Sequence, residues 1–439
     1  MLRLALAALT AFTFAMPARA EVAIQEITSP GGIGAWLVEE HSIPFTALEI
    51  RFRGGASLDL PGKRGATSLM TNLLEEGAGD LDSRAFAKAA ESLAASFGFS
   101  AGDDTVSVSA KFLTENRDQA VALLRDALIN PRFDDDAIER VRAQVISNIR
   151  SDLKDPDSIA GTTFAAMLFG DHPYGSNEDG TEETVSALGR DDLVAAHRGA
   201  MARDRLFVSA VGDITADELG TLLDTLLGDL PASGAAMPGD VTPGFAGGIH
   251  VTDFDTPQSV VLFGQPGIGL EDPDFFAAYI LDTVLGGSGL ESRLMKEVRE
   301  KRGLTYGVYS YLVDKDHADY WMGSVASAND RVAEAIEVIR DEWRKIREEG
   351  ITEAELEDAK TYLTGSYPLR FDGNGPIAKI MAGMQVDGMA VDYIASRNDR
   401  VNAVTLDDVN RVARDLLDPE HLHFIVVGKP EGLKSGAGN

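Results

Sequence analysis

Residues 286–311 read GGSGLESRLMKEVREKRGLTYGVYSY and concentrate more chemistry than any other stretch of this 439-residue chain. A glycine-rich turn opens the run. Ser288 with Glu291 three residues later has the spacing of a capping box for a helix. Leu290, Leu294 and Val298 recur every four residues and predict one buried helical face. Around them stand Arg293, Lys296, Arg299, Lys301 and Arg302, a basic cluster in a chain of formal charge −30. Gly303 ends the helix, and Thr305 to Tyr311 is rich in β-branched and aromatic residues and predicts a strand. That reading brings Arg299 near a helix end and Tyr306 on the strand, a cation and a phenol, to one corner. A solvated helix face beside a packed tyrosine would produce the same pattern.

Working outward, the chain repeats itself. Residues 185–193, VSALGRDDL, lead to the strand-like run LFVSAVG at 206–212. Residues 401–409, VNAVTLDDV, lead to LHFIVVG at 422–428, at a constant offset of 216. Helical patterns near 118–126 and 332–341 echo each other, and each is followed by a longer one, near 134–153 and 352–366. A period this long implies duplicated domains. Strand patterns at 36–38, 46–52, 105–112, 259–263 and 320–326 come in runs apart from the helices. The fold class is therefore α+β, two homologous domains each with helices packed on one face of a sheet. Residues 228–248, GDLPASGAAMPGDVTPGFAGG, lack periodicity and join the halves. The expected division is a first domain at 21–230, a linker at 231–249, a second domain at 250–432 and a tail at 433–439.

Residues 1–20 combine Arg3, an apolar run and the small-residue site Ala18-Arg19-Ala20, the pattern of a secretory signal peptide. Cleavage before Glu21 and a periplasmic location follow as expectations. The acidic balance argues against nucleic acid and anionic membrane surfaces, and no later run reaches membrane length. Zero cysteines exclude disulfides, thiolate metal sites and a cysteine nucleophile.

The run LGGSGLESRLMKEVREKRGLTYGVYS resembles the C-terminal-domain signature of the pitrilysin/insulinase-type zinc peptidases, and the resemblance extends over nearly the whole mature chain. It implies two similar α+β domains facing each other across a cavity. It also implies that Arg299 and Tyr306 hydrogen-bond substrate, with Gly286, Gly287 and Gly289 letting backbone approach at the domain edge. The family's zinc motif, His-x-x-Glu-His on a helix, aligns with residues 65–77, GATSLMTNLLEEG. Ser68 and Asn72 stand at the two histidine positions and Thr71 at the glutamate. The third ligand position falls near Ser147-Asn148, and no acidic residue lies between Glu139 and Asp152. Neutral Ser, Thr and Asn are poor zinc ligands. His421 and His423 alternate on the closing strand with no third ligand, and His172-Pro-Tyr-Gly resembles a structural turn of the family.

The resemblance thus implies a non-hydrolytic, substrate-binding subunit of an exported heterodimeric zinc endopeptidase. No cofactor is expected in this chain. Zinc would sit in a homologous partner subunit, and Arg299 and Tyr306 would act on peptide substrates held there. The alternatives are a chaperone-like peptide-binding protein and a structural core protein.

Overall fold

The computed structural model describes residues 23–435; the signal-peptide reading of 1–20 lies outside them. The first half forms a six-stranded sheet from β1 (Gln25–Thr28), β2 (Gly34–Glu39), β3 (Phe45–Arg53), β4 (Ser96–Ala101), β5 (Thr105–Leu113) and β6 (Leu206–Gly212). Their spatial order is β1-β2-β6-β3-β5-β4. The second half repeats all of it but β1, with β7 (Gly248–Asp253), β8 (Gln258–Pro266), β9 (Val308–Lys315), β10 (Ala318–Ala328) and β11 (His423–Gly428), ordered β9-β10-β8-β11-β7. In both sheets one pair is parallel, β2 with β6 and β7 with β11, and the pairings that follow inward are antiparallel. The duplicated sequence has become a duplicated topology. No helix or strand occurs between Leu227 and Gly248, and β7 begins at Gly248 rather than 250.

The helices used below are α1 (Ala66–Asn72), α2 (Arg117–Ile129), α3 (Asp135–Asp152) and α4 (Pro156–Phe169) in the first half. Their counterparts in the second half are α5 (Phe275–Asp282), α6 (Val332–Glu349), α7 (Glu353–Ser366) and α8 (Asn374–Val386). The repeated segments at 185 and 401 are not helix starts. Each lies at the end of one helix, with a second helix following at Arg190–Ala200 and Leu406–Leu416.

Alternation along each strand sorts side chains to two faces. Leu48, Ile50 and Phe52 of β3 join Val208 and Ala210 of β6 in a core shared with α1, α2 and α3. Val261, Phe263, Phe424 and Val426 do the same beneath α5, α6 and α7. The opposite faces are apolar as well, which corrects the expectation of helices on one side only. Ala47, Trp36 and Val211 are covered by Ala378, Met381 and Met384 of α8, a helix from the second half. Val260, Ile425, Val427 and Tyr320 are covered by Ala160, Phe164 and Leu168 of α4, a helix from the first half. Each sheet borrows its second cover from the other repeat. Both covering helices carry one charged residue, Asp157 in α4 and Lys379 in α8, as their position between two layers demands.

Polar contacts trim this exchange. Gln385 Nε2 donates to Val208 O and Ser209 Oγ, each at 2.8 Å, and Arg53 donates to Val386 O. The β9–β10 hairpin tip docks on the first half: Lys315 bonds Asp103 at 2.6 Å and lies 4.2 Å from the Tyr174 ring centroid. Tyr174, from the His172-Pro-Tyr-Gly turn, donates its hydroxyl to Asp104. Arg53 meets Asp316 at 3.2 Å, and Val241 N–H donates to His317 O at 2.9 Å, which ties the linker into the same junction.

Met381 is fully buried between the repeats. Met381→Ala is expected to cost about 2–5 kcal/mol. Urea unfolding followed by circular dichroism and by tryptophan fluorescence checks this. The two probes should move together to lower urea, since loss of α8 exposes one sheet and uncouples the other.

Candidate functional site

The 286–311 segment is anchored by a buried carboxylate. Asp282, the last residue of α5, accepts from Ser310 Oγ at 2.6 Å and from Trp321 Nε1 at 2.9 Å. Burial pushes its pKa up to about 6, against the hydrogen bonds, which pull it down. The helix then continues in one wide turn, Thr283–Gly287, whose backbone packs close over this group. A Cβ at Gly287 would lie 2.6 Å from Asp282 Oδ2, and one at Gly286 would lie 2.3 Å from Ser310 Oγ. These glycines therefore have a packing role against Asp282 and Ser310, which the substrate-approach reading did not include. Gly289 has φ +63° and open space around it, so it serves the turn itself.

The helix that follows begins later than the capping-box reading puts it. Ser288 makes no capping bond. Ser292 takes that place, its Oγ accepting from Met295 N–H at 3.3 Å while donating to Gly289 O at 2.9 Å. Leu294 and Val298 are fully buried, but Leu290 is 54% exposed because it precedes the helix in a short 3-10 turn. The helix continues in wide turns over Met295–Glu300. Tyr306 also shifts: β9 begins at Val308, so Tyr306 sits two residues before the strand, 87% exposed.

Four of the five clustered cations are engaged. Arg293 forms a two-pronged pair with Glu355, at 2.6 and 2.8 Å, and also reaches Gly350 O. Burial would raise the Glu355 carboxyl, but the Arg293 bonds outweigh it and hold the pKa at about 2. Lys296 pairs with Glu291 at 3.1 Å. Lys301 and Arg302 share Glu297 at 2.6 and 2.8 Å. The half-buried Arg299 guanidinium has no hydrogen bond or ion pair among the described residues, and neither has the Tyr306 hydroxyl. The arrangement leaves a free fork of donors and a free phenol, both able to bind carbonyl oxygen.

The positions aligned with zinc ligands are neutral and occupied by local bonds. Ser68 donates to Asp179, and Thr71 Oγ1 donates to Thr67 O at 2.8 Å within α1. Asn72 is exposed at the end of α1, and Asn148 on α3 accepts from Gln144 at 3.0 Å. Among the described residues no group of three or more His, Cys, Asp or Glu is placed to hold a metal ion. His421 and His423 do not act together: His421 is exposed and bonds Asp418 at 2.8 Å, while His423 is buried at the start of β11. No described helix is long and apolar enough to cross a membrane. Sequence reasoning missed Asp282; the signal was a lone acid in the otherwise apolar run FFAAYILD.

Asp282 provides a pH test. A carboxyl whose folded pKa lies above its unfolded value binds more protons when folded, so the native state gains stability as pH falls through 6 toward 4. Asp282→Asn keeps an acceptor for Ser310 and Trp321 and removes the titration. The stability difference between variant and wild type should move in favour of wild type on going from pH 7 to pH 4, by at most about 3 kcal/mol. Denaturation curves at both pH values check it, and a pH-independent difference would contradict the assignment.

Comparison with known proteins places these features. Residues 36–177 match the family described as Insulinase (Peptidase family M16), and residues 187–363 match Peptidase M16 inactive domain. An uncharacterized zinc protease of Mycobacterium leprae is 33% identical over 318 residues, 71% of each chain. The non-peptidase homolog YmxG of Helicobacter pylori is 26% identical over 391 residues, 89% of this chain and 90% of that one. Among solved structures, a peptidase M16 inactive domain from Pseudomonas fluorescens superposes with a TM-score of 0.87 at 26% identity. It covers 94% of this chain and 100% of the other.

Proposed function

The chain belongs to peptidase family M16, and from that premise we propose that it is the non-hydrolytic, substrate-binding subunit of an exported heterodimeric zinc endopeptidase. The observation that carries this reading is the uneven fate of the basic cluster. Arg293, Lys296, Lys301 and Arg302 are neutralised by carboxylates, while Arg299 is left unengaged together with the exposed Tyr306. Arg299 is half-buried on the helix that leads to Tyr306, so its unengaged guanidinium is held beside that phenol rather than lost in solvent. Ser68, Thr71 and Asn72 supply neither a ligand set nor a general base, so the hydrolytic centre belongs to a homologous partner carrying the zinc motif. The name of the Helicobacter relative, a non-peptidase homolog, supports the non-hydrolytic part of this reading.

In this mechanism the peptide lies extended, with its scissile carbonyl at the partner's metal centre. Arg299 donates to a substrate carbonyl, and the Tyr306 hydroxyl donates to the oxygen on which negative charge develops. A donor aimed at that oxygen lowers the barrier without reorganising during the reaction, and its loss typically costs about 10²–10³ in rate.

Reconstitution with a zinc-motif homologue tests the proposal. Tyr306→Phe should lower kcat by about 10²-fold with assembly intact, and Arg299→Ala should raise KM as well. Elemental analysis of this chain alone should find no stoichiometric zinc, and neither substitution should change the zinc content of the pair. Unchanged kinetics in an intact complex would leave Arg299 and Tyr306 as surface residues and return the chain to the peptide-binding or structural alternatives.

Export is proposed on the 1–20 segment. Protein recovered from the cell envelope should begin at Glu21 by N-terminal sequencing, and an intact Met1 would refute it.

A further inference from the structure

Three of the four largely exposed tyrosines among the described residues fall within six positions, Tyr306, Tyr309 and Tyr311. The last two lie on β9, an edge strand that pairs with β10 alone. Val308 and Ser310 point to the helical layer, where Ser310 is fastened to Asp282. Tyr309 and Tyr311 therefore face the other way, on the side of Val313. Val313 packs with Tyr320 and Met322 in the apolar layer beneath α4. The tyrosines continue that layer past the cover of α4 to the open edge, each still about half exposed at 47% and 46%. The Tyr309 ring folds back against Gly307, where a Cβ would lie 2.9 Å from its hydroxyl. That pose brings the ring toward the Tyr306 end of the strand.

We propose that the outer edge of β9, with Tyr309 and Tyr311, is the specificity surface for an extended peptide. The peptide adds to β9 as a further strand, and its apolar side chains two positions apart lie on the two tyrosine rings. This rests on the Arg299 and Tyr306 reading, since the strip runs directly into Tyr306. Eight residues of β9 offer an edge of ~27 Å, enough for a peptide of similar length. Edge addition supplies main-chain bonds, and alternate side-chain contacts supply selectivity. A second copy of the chain is a poor occupant, because two bodies of charge −30 repel. The far end of β9 also opens on an interdomain cavity of about 770 Å³, where Glu271, Asp272, Asp314, Asp316, Asp319 and Asp387 outnumber Arg53 and Lys315. The favoured occupant is thus a peptide without net negative charge.

The test uses the mature chain and a fluorescent ten-residue peptide of net positive charge with Phe at alternate positions, alongside its Ala counterpart. Fluorescence anisotropy should show Tyr309→Ala and Tyr311→Ala each weakening the Phe peptide about 5–10-fold and the Ala peptide little. Gly307→Ala, which displaces the Tyr309 ring without deleting it, should weaken the Phe peptide in the same sense. N-methylation of alternate amides should abolish binding in one register and spare it in the other. Equal binding of both peptides, equal effects of both methylation registers, or no binding to wild type overturns the proposal. If Arg299→Ala and Tyr306→Phe weaken binding while the β9 variants do not, the strip falls and the Arg/Tyr reading stands. The reverse pattern keeps the strip and removes the Arg/Tyr pair. A wild-type dimer on gel filtration that Tyr311→Ala dissociates would make this edge an interface between copies and also overturn it.

Discussion

The structure depends on one constraint: two sheets that are apolar on both faces within one duplicated chain. Own-repeat helices cover one face of each, through Leu48, Ile50 and Phe52 in the first half and Val261 and Phe263 in the second. The remaining faces would expose Trp36, Ala47 and Val211, or Val260, Ile425 and Val427, to water. Exchange of α4 and α8 removes both patches at once. Contiguous exposed apolar surface of that kind otherwise marks association or aggregation. The exchange also makes the halves one cooperative body, because neither sheet is complete alone. The Lys315, Asp103 and Tyr174 contacts add a polar join between the halves at the hairpin tip.

The Arg299 corner inherits its rigidity from this arrangement. Trp321 on β10 and Ser310 on β9 both donate to Asp282, so the sheet and the end of α5 share one buried carboxylate. The turn at Gly286 and Gly287 fits over that carboxylate only because no Cβ intervenes. Arg293 is held by Glu355 on α7, which fastens the start of the 293–300 helix to the outer layer. Arg299 and Tyr306 are thus free side chains mounted on a fixed backbone. That combination suits a group that must meet a ligand without rearranging.

The first repeat has lost the comparable chemistry while keeping its frame. α1 stands where the metal-binding helix of the family is aligned, and Ser68 and Thr71 spend their hydroxyls on Asp179 and on the helix backbone. The fold tolerates this because α1 is held by Leu69 and Met70 in the core rather than by a metal. Packing and metal binding are separable here: α1 keeps its place in the core with neutral residues at the aligned ligand positions.

The Arg299–Tyr306 pair was singled out by resemblance to the family, whereas the duplication and most strand and helix patterns were legible in local sequence. They rest on periodicity and on offsets that any neighbouring residues reveal. Ser68, Thr71 and Asn72 were placed at the zinc-motif positions by the same resemblance, and their residue types then showed neutral groups there. The second cover of each sheet was not read, although the continuous apolar run FIVV in β11 hinted at a strand buried on both faces. Which helix supplied that cover depends on contacts between residues about 90 to 350 positions apart, and no local pattern encodes them. Leu290, apolar and correctly spaced, was exposed because the helix begins three residues later, at a boundary set by Ser292. Which of five cations stayed free was likewise a tertiary outcome: Arg293 found Glu355 across 62 residues of chain, while Arg299 has no ion pair among the described residues. Periodicity determines which faces are apolar, but only the folded chain determines which partners remain for the charges.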